Sequence, residues 1–267
     1  MNSPLNVIKI GGAIIDEPEL LEKFLAEFAA LEGSKILVHG GGRSATEMSK
    51  ALGLKPKMID GRRLTDAATL KVACMMYAGV INKQIVASLQ AKGVNALGLS
   101  GADGNVLPAK KRPVTEIDYG WVGDIHTEEL NETPLKNLIN ADFTPVFCAL
   151  THDGNGHMLN TNADTVAMAV AVMASRFTKT RLCFAFEKNG VLLDVNDDNS
   201  VIPSLHIQEA EKLILSGKIH SGMRPKITAA NDALNKGCHQ VIIANASNLS
   251  AVIAGKENVL FTEFVKG

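Results

Sequence analysis

The sequence lacks paired cysteines and any long hydrophobic run. The four cysteines are Cys74, Cys148, Cys183 and Cys238. They are widely spaced and form no C-x-x-C pair, which favours reduced, largely buried thiols over a disulfide framework. No signal peptide precedes Val7, and the longest apolar run, 166–174, is too short to span a bilayer. These absences predict a soluble, cytoplasmic protein.

The chain also lacks an excess of either charge. It carries 27 basic and 28 acidic residues, a net charge of −1, and its basic residues are scattered. This balance argues against nucleic acid or an anionic membrane as the main partner. A hydrophobic fraction of 46% in 267 residues makes disorder unlikely and suffices for one α/β domain or two small lobes.

Three familiar site signatures are missing. There is no G-x-S-x-G elbow of a serine hydrolase and no G-x-x-x-x-G-K-[ST] phosphate loop. The seven histidines do not cluster at metal-ligand spacing, so the sequence predicts no metal site built from protein side chains.

Two glycine-rich junctions stand near the start of the chain. The apolar run V-I-K-I at 7–10 breaks into Gly11 and Gly12, and K-I-L-V at 35–38 ends in H-G-G-G before a helical segment. Glycine loops let backbone N–H groups approach an anion closely, and the following helix adds positive potential. Lys9 adds a mobile point charge. The two junctions predict two groups of amides facing one polyanionic site.

Strand-like and helical segments alternate along the rest of the chain. Helical spacing occurs at 17–31, 65–91, 130–140, 165–174, 207–215 and 227–235, with apolar strand-like runs between these segments. This alternation predicts an α/β fold, a three-layer α/β/α sandwich with a mainly parallel open sheet. The segment 65–91 carries apolar residues on more than one face, which favours burial on two sides, for example in a dimer interface.

Other interpretations of these motifs compete. The stretch 40–45 fits G-x-G-x-x-A of a dinucleotide-binding turn, and Asp60 lies near the distance expected of a ribose-binding acid. That pattern leaves the first glycine junction unexplained. An H-G-G-G turn also occurs in the oxyanion loop of some esterases, but the matching elbow is absent. We interpret His39 as a hydrogen-bonded structural histidine rather than a general base.

Five motifs together resemble the amino-acid kinase family. They are V-I-K-I-G-G, H-G-G-G, G-R-R-L-T in a predicted hairpin, L-N-T-N-A-D before a helix, and G-M-R-P-K near the C-terminal end. The resemblance runs essentially end to end and is strongest to the members that phosphorylate N-acetyl-L-glutamate. It implies the amino-acid kinase fold in a single domain of residues 1–267. An amino-acid lobe would reach about residue 178, and a nucleotide lobe would follow from about 179.

The resemblance implies a role for each matching residue. Lys9 and Lys226 match lysines that stabilise the phosphoryl group in flight, and Asp164 matches the acid that orients them. Further matches to substrate-binding residues are Gly41, Gly42, Arg63 and Asn160. Matches in the nucleotide-binding region are Gly11, Gly12, Glu187 and Gly190. A Ser/Thr-Asp pair usual in that region is replaced here by Phe186-Glu187.

The activity implied is ATP-dependent phosphorylation of the side-chain carboxylate of N-acetyl-L-glutamate in arginine biosynthesis. Magnesium would be held mainly by the ATP phosphates. N-succinyl-L-glutamate is an alternative substrate. Two alternatives outside this activity remain open: a catalytically silent nucleotide-binding regulatory protein and an NAD-binding oxidoreductase.

Arginine-inhibited relatives carry an additional N-terminal helix that builds hexamers. Because only eight residues precede Lys9, we expect a homodimer insensitive to arginine.

Overall fold

The computed structural model describes residues 3–41, 43–59, 62–194, 196–217, 219 and 223–266. The strands are β1 (Leu5–Ile10), β2 (Lys35–His39), β3 (Met58–Ile59), β4 (Arg62–Arg63), β5 (Ala96–Leu99), β6 (Lys110–Lys111), β7 (Gly123–Asp124), β8 (Thr144–Cys148), β9 (Leu150–His152), β10 (Met158–Asn160), β11 (Thr180–Phe186), β12 (Ser204–His206), β13 (Gln240–Asn245) and β14 (Phe261–Val265). The helices are α1 (Gly12–Asp16), α2 (Pro18–Ala29), α3 (Ser44–Ala51), α4 (Ala67–Ala73), α5 (Asn82–Ala91), α6 (Thr133–Asn140), α7 (Ala163–Ser175), α8 (Ile207–Leu215), α9 (Arg224–Asn235) and α10 (Leu249–Ile253).

An eight-stranded sheet runs through the molecule in the order β12-β14-β13-β11-β1-β2-β8-β5. Every neighbouring pair is parallel except β13 and β14, which are antiparallel. The predicted mainly parallel open sheet is therefore confirmed. Strand β1 lies near the middle, paired with β2 on one side and β11 on the other. Its residues are buried throughout, as expected of a strand covered on both faces.

Helices cover both faces of this sheet. Because side chains alternate along a strand, Leu5 and Val7 of β1 face one layer and Ile8 and Ile10 face the other. Leu5 and Val7 belong to the hydrophobic cluster that contains the buried residues of α7, α8 and α9. The second pair belongs to the cluster formed with α2, α5 and α10. The α/β/α layering is confirmed, and it places Lys9 on the same face as α7.

The helical run from Ala67 to Ala91 consists of α4, a π-helical segment at Cys74–Ile81, and α5. Asp66 caps the run by accepting a hydrogen bond from the Thr69 N–H at 2.7 Å. By length and composition alone, this is the one helix in the described ranges that could cross a membrane. The core helix of a soluble protein can have the same length and composition.

Most predicted elements lie within a few residues of their expected positions. The hairpin forms from β3 and β4, and the helix predicted at 207–215 is α8. The last strand, β14, begins at Phe261. All four cysteines are free, and three of them are buried, which confirms the expectation of unpaired, largely buried thiols.

We expect Phe28→Ala to lower the free energy of unfolding by about 3–5 kcal/mol, since it leaves a cavity among buried side chains. Phe28, on α2, is fully buried in the hydrophobic cluster that α2 forms with the sheet, α5 and α10. The matched control is Leu20→Ala on the same helix, where the side chain is 40% exposed. Urea denaturation of both variants checks this, and equal losses would contradict the packing described.

Candidate active site

Three charged side chains meet at the carboxyl edge of the sheet. Lys9 comes from β1, Asp164 from the first turn of α7, and Lys226 from the first turn of α9. The Lys9 Nζ lies 2.8 Å from Asp164 Oδ1, and the Lys226 Nζ lies 3.8 Å from Asp164 Oδ2. One carboxylate therefore contacts two ammonium groups. Sequence analysis predicted these three residues together, and the structure brings them together.

The local sequence explains how Asp164 reaches this position. Asn162 has an extended backbone and caps α7, since its side-chain oxygen accepts hydrogen bonds from the N–H groups of Asp164 (2.8 Å) and Thr165 (3.1 Å). The helix begins immediately before Asp164, so the carboxylate sits at the positive end of the helix dipole. In α9, Pro225 occupies the first turn, where its missing N–H costs nothing, and directly precedes Lys226.

Burial and charge act against each other in this cluster. Burial raises the pKa of Asp164, but the charges of Lys9 and Lys226 outweigh burial and hold that pKa below its ordinary value. Burial lowers the pKa of Lys226, and Asp164 opposes the change. Two cations and one anion leave the cluster with a net positive charge when all three are ionised. Such a cluster attracts an anion.

A cavity of about 1130 Å3 lies beside the cluster. Its wall includes Ala163 of α7, Arg224 of α9 and Gly40 of the second glycine turn, and it also includes Arg63 and Asn160. The volume lies slightly above the range of about 300–1,000 Å3 that is usual for small-molecule sites. Two predicted substrate-binding residues thus line one cavity, next to the three charged residues.

Arg63 and Asn160 are linked through Thr65. The Thr65 hydroxyl donates to the carbonyl oxygen of Arg63 at 3.0 Å, and the Asn160 Nδ2 donates to the same hydroxyl at 3.0 Å. Arg63 Nη2 donates to Thr46 Oγ1 at 2.7 Å. Its Nη1 is buried and has no hydrogen-bond acceptor within the part of the chain that the structure describes. A buried guanidinium nitrogen without an acceptor is suited to a ligand carboxylate.

The glycines of the two junctions differ in their hydrogen bonding and in their surroundings. The Gly11 N–H donates to the Ala185 carbonyl at 2.9 Å, so this amide is engaged within the sheet. Gly12 is the first residue of α1. At Gly41, a Cβ atom would lie 1.5 Å from Tyr77 Cε1, so any larger residue would displace that ring. Gly42, with Asp60 of the dinucleotide interpretation, lies outside the described residues.

The two predicted nucleotide residues near β11 occupy different environments. Glu187 is exposed, and its charge opposes the lowering of the Lys226 pKa by burial. Gly190 is buried, and a Cβ there would lie 2.6 Å from Thr262 Oγ1. Gly190 therefore permits close packing against β14. Nucleotide contacts by Gly11, Gly12, Glu187 and Gly190 stay a prediction.

The sequence interpretation missed several residues that support the site. Asp16 at the end of α1 accepts hydrogen bonds from the backbone N–H groups of Arg43 (2.8 and 2.9 Å) and Ser44 (3.3 Å), and from the Ser44 hydroxyl (2.9 Å). It ties the helix after the first glycine junction to the helix after the second. No local sequence pattern indicates the role of Asp16. Asn162 carries a recognisable signal, because an asparagine immediately before a helix is a typical N-cap.

His39 ends β2 immediately before the second glycine turn and is completely buried. Burial lowers the pKa of His39 to about 4, aided by the charge of Lys83 and opposed by a hydrogen bond to the backbone of Gly40. The ring is therefore neutral at physiological pH. Within the described ranges, no group of three His, Cys, Asp or Glu side chains could hold a metal ion.

Two lysines surround one carboxylate at the carboxyl edge of a mainly parallel sheet, beside two glycine turns. This arrangement defines a protein whose site suits a phosphoryl group. The model of one family, described as the amino acid kinase family, matches residues 4–245. The chain belongs to the amino acid kinase family.

Curated relatives match nearly the whole chain. The chain is 52% identical to an acetylglutamate kinase of Bacteroides fragilis over 247 residues, 92% of this chain and 94% of the relative. The acetylglutamate kinase of Parabacteroides distasonis is also 52% identical, over 92% of this chain and 95% of that protein. The acetylglutamate kinase of Methanopyrus kandleri is 37% identical, over 92% and 96%.

Solved structures share the fold at lower identity. An N-acetylglutamate synthase from Neisseria gonorrhoeae, in complex with coenzyme A and N-acetyl-glutamate, matches with a TM-score of 0.82 at 23% identity. The match covers all of this chain and 60% of the synthase chain. Carbamate kinase from Giardia lamblia, bound to AMP-PNP, matches with a TM-score of 0.65 at 15% identity, over 100% and 99% of the two chains. These likenesses show the fold alone.

We expect acidification to destabilise the protein through His39. The folded pKa of about 4 lies below the ordinary 6.5, so the unfolded chain takes up the proton first. The stability that the neutral ring contributes is complete above pH 6.5 and is lost as pH falls toward 4. Between pH 7 and 5, the wild type should lose about 2 kcal/mol of unfolding free energy that His39→Asn does not lose.

Urea denaturation at pH 7, 6 and 5 measures this difference. The exposed Leu215 provides a control, since Leu215→Ala removes no ionisable group and should keep the wild-type dependence on pH. Parallel curves for the wild type and His39→Asn would contradict the prediction.

Proposed function

We propose that this protein transfers the γ-phosphoryl group of ATP to the side-chain carboxylate of N-acetyl-L-glutamate, giving N-acetyl-L-glutamyl 5-phosphate and ADP. The observation that carries the proposal is the Asp164 carboxylate between Lys9 and Lys226, beside a cavity that contains Arg63. The names of relatives that are 52% identical support the substrate. The reaction would be the second step of arginine biosynthesis, carried out in the cytoplasm.

The cluster matches what phosphoryl transfer requires. Charge in the transition state is spread over the transferring oxygens, so catalysis depends mainly on alignment and electrostatic stabilisation. A carboxylate acceptor is already ionised at neutral pH and needs no general base. Lys9 and Lys226 would stabilise the transferring group, and Asp164 would hold their ammonium groups in place. Mg2+ carried by ATP would neutralise part of the phosphate charge.

The hydrogen bonds around Arg63 and Asn160 suit an N-acylated amino acid. The free Nη1 of Arg63 would donate to the α-carboxylate. Because the Thr65 hydroxyl donates its proton to the Arg63 carbonyl, it must accept from Asn160 Nδ2. The Asn160 Oδ1 is thereby oriented as an acceptor, and an acylated amino group offers one N–H donor.

Residues 179–267 would bind the nucleotide and residues 1–178 the amino acid. Strand β11, at the start of the second part, pairs directly with β1, which carries Lys9. The carboxyl end of β11 leads into Glu187, whose charge acts on Lys226. This connection would bring the ATP phosphates to the cluster from the side of β11 and the acceptor carboxylate from the opposite side.

An ADP-release assay with Mg-ATP tests the function. N-acetyl-L-glutamate, N-succinyl-L-glutamate, free glutamate and aspartate are offered in parallel, and hydroxylamine traps any acyl phosphate. Turnover with the N-acetyl substrate is expected. Preference for the succinyl substrate would change the acyl group alone. Preference for a free amino acid would reject the roles given to Arg63 and Asn160, and no turnover would favour a catalytically silent regulatory protein.

We expect Lys9→Ala and Lys226→Ala each to lower kcat by about a hundredfold or more, by analogy with the loss of one pre-organised donor. Lys212→Ala on the exposed face of α8 is the matched control and should retain wild-type kcat. Steady-state kinetics on folded, purified variants measure these kcat values. Wild-type turnover by either active-site variant would reject the assignment.

We further propose a homodimer formed through the helical run at 67–91. Met75 and Val80 in its π-helical segment are 46% and 44% exposed, although the run is strongly apolar. Light scattering should give the mass of two chains for the wild type and of one chain for Val80→Glu. The exposed Leu215→Glu, outside this surface, is the control and should remain dimeric. A monomeric wild type would contradict the proposal.

A further inference from the structure

We propose that His39 and Asn82 are positioning residues, which hold the peptide between Gly40 and Gly41 so that the Gly41 N–H faces the substrate cavity. The identity of the ligand at that N–H rests on the proposed function. The hydrogen-bond geometry does not, because it follows from the contacts of His39 and Asn82 with Gly40, Val146 and Lys83.

The orientation of the Asn82 amide is fixed by two neighbours. Its Nδ2 lies 2.9 Å from the Val146 carbonyl oxygen, and its Oδ1 lies 3.2 Å from Lys83 Nζ. A carbonyl only accepts and an ammonium only donates, so the amide cannot be flipped. Asn82 is 1% exposed, which leaves water no competing access.

This orientation determines where His39 carries its proton. The Asn82 Nδ2 also lies 3.0 Å from His39 Nε2, and since the amide nitrogen donates, Nε2 must accept. The other ring nitrogen, Nδ1, lies 2.9 Å from the Gly40 carbonyl oxygen, which can only accept. Both ends of the ring therefore require the same neutral tautomer, with the proton on Nδ1.

Because the peptide group is planar, the position of the Gly40 carbonyl also sets the direction of the Gly41 N–H. In a trans peptide the C=O and the following N–H point in opposite directions. Holding the Gly40 oxygen against the buried imidazole therefore turns the Gly41 N–H away from the ring. Gly40 lines the cavity, and the Gly41 N–H donates to no acceptor among the described residues. The turn has no side chains of its own to fix this peptide.

The surrounding chain is shaped to admit Asn82. Asn82 is the first residue after the π-helical segment, whose wider turns change the direction of the side chains that follow. On β5, a Cβ at Gly98 would lie 2.0 Å from Asn82 Oδ1. A larger residue at that position would push the amide out of contact with the ring.

Two substitutions separate positioning from packing. In His39→Asn the side-chain amide nitrogen can reach the place of Nδ1 and still donate to Gly40. In His39→Gln the amide group extends to the place of Nε2, where its oxygen accepts from Asn82, so the donor to Gly40 is lost. We expect kcat of His39→Asn within about threefold of wild type and kcat of His39→Gln about tenfold lower or more, with KM for ATP unchanged in both. Equal kcat in the two variants would overturn the proposal.

The tautomer is measured independently of activity. In the wild type labelled with 15N-histidine, the ring nitrogen shifts of His39, assigned by through-bond correlation to its backbone, should show a protonated Nδ1. Protonation on Nε2 would overturn the proposal even if neither His39 variant folds. An inactive wild type with a protonated Nδ1 would reject the proposed function and leave the positioning intact.

Discussion

The site depends on a buried carboxylate shared by two lysines. Removing an isolated charge from water is costly, so Asp164, Lys9 and Lys226 are each tolerated in the interior because the other two are present. The three residues come from a central strand and two helices that cover one face of the sheet. Their pairing ties the beginning, middle and end of the sequence together at one point.

The architecture makes this meeting possible. Parallel strands end at one edge, where loops and helix N-termini gather. Helix α7 packs closely over β1 because its buried positions are largely alanine and valine, and its first turn is brought down onto the edge of the sheet. Asp164 is consequently fixed by the packing of the whole helix as well as by its cap.

The glycine turns obtain their shape from neighbouring side chains. Glycine brings the backbone close to a ligand but restricts its own conformation weakly. Asp16 binds the N–H groups that follow the second turn, and His39 binds the carbonyl within it. The shape of these turns thus depends on polar side chains contributed by neighbouring elements.

The sequence by itself determined the order of strands and helices and the α/β class, because periodicity, caps and glycine motifs are local signals. Lys9 could be predicted from the first glycine junction, whereas Asp164 and Lys226 were predicted from the resemblance of L-N-T-N-A-D and G-M-R-P-K to a known family. The tertiary structure alone decided that Gly11 donates its N–H to β11 and that His39 meets Asn82. These contacts join residues far apart in the sequence, and which side chains meet is fixed only when helices and strands pack.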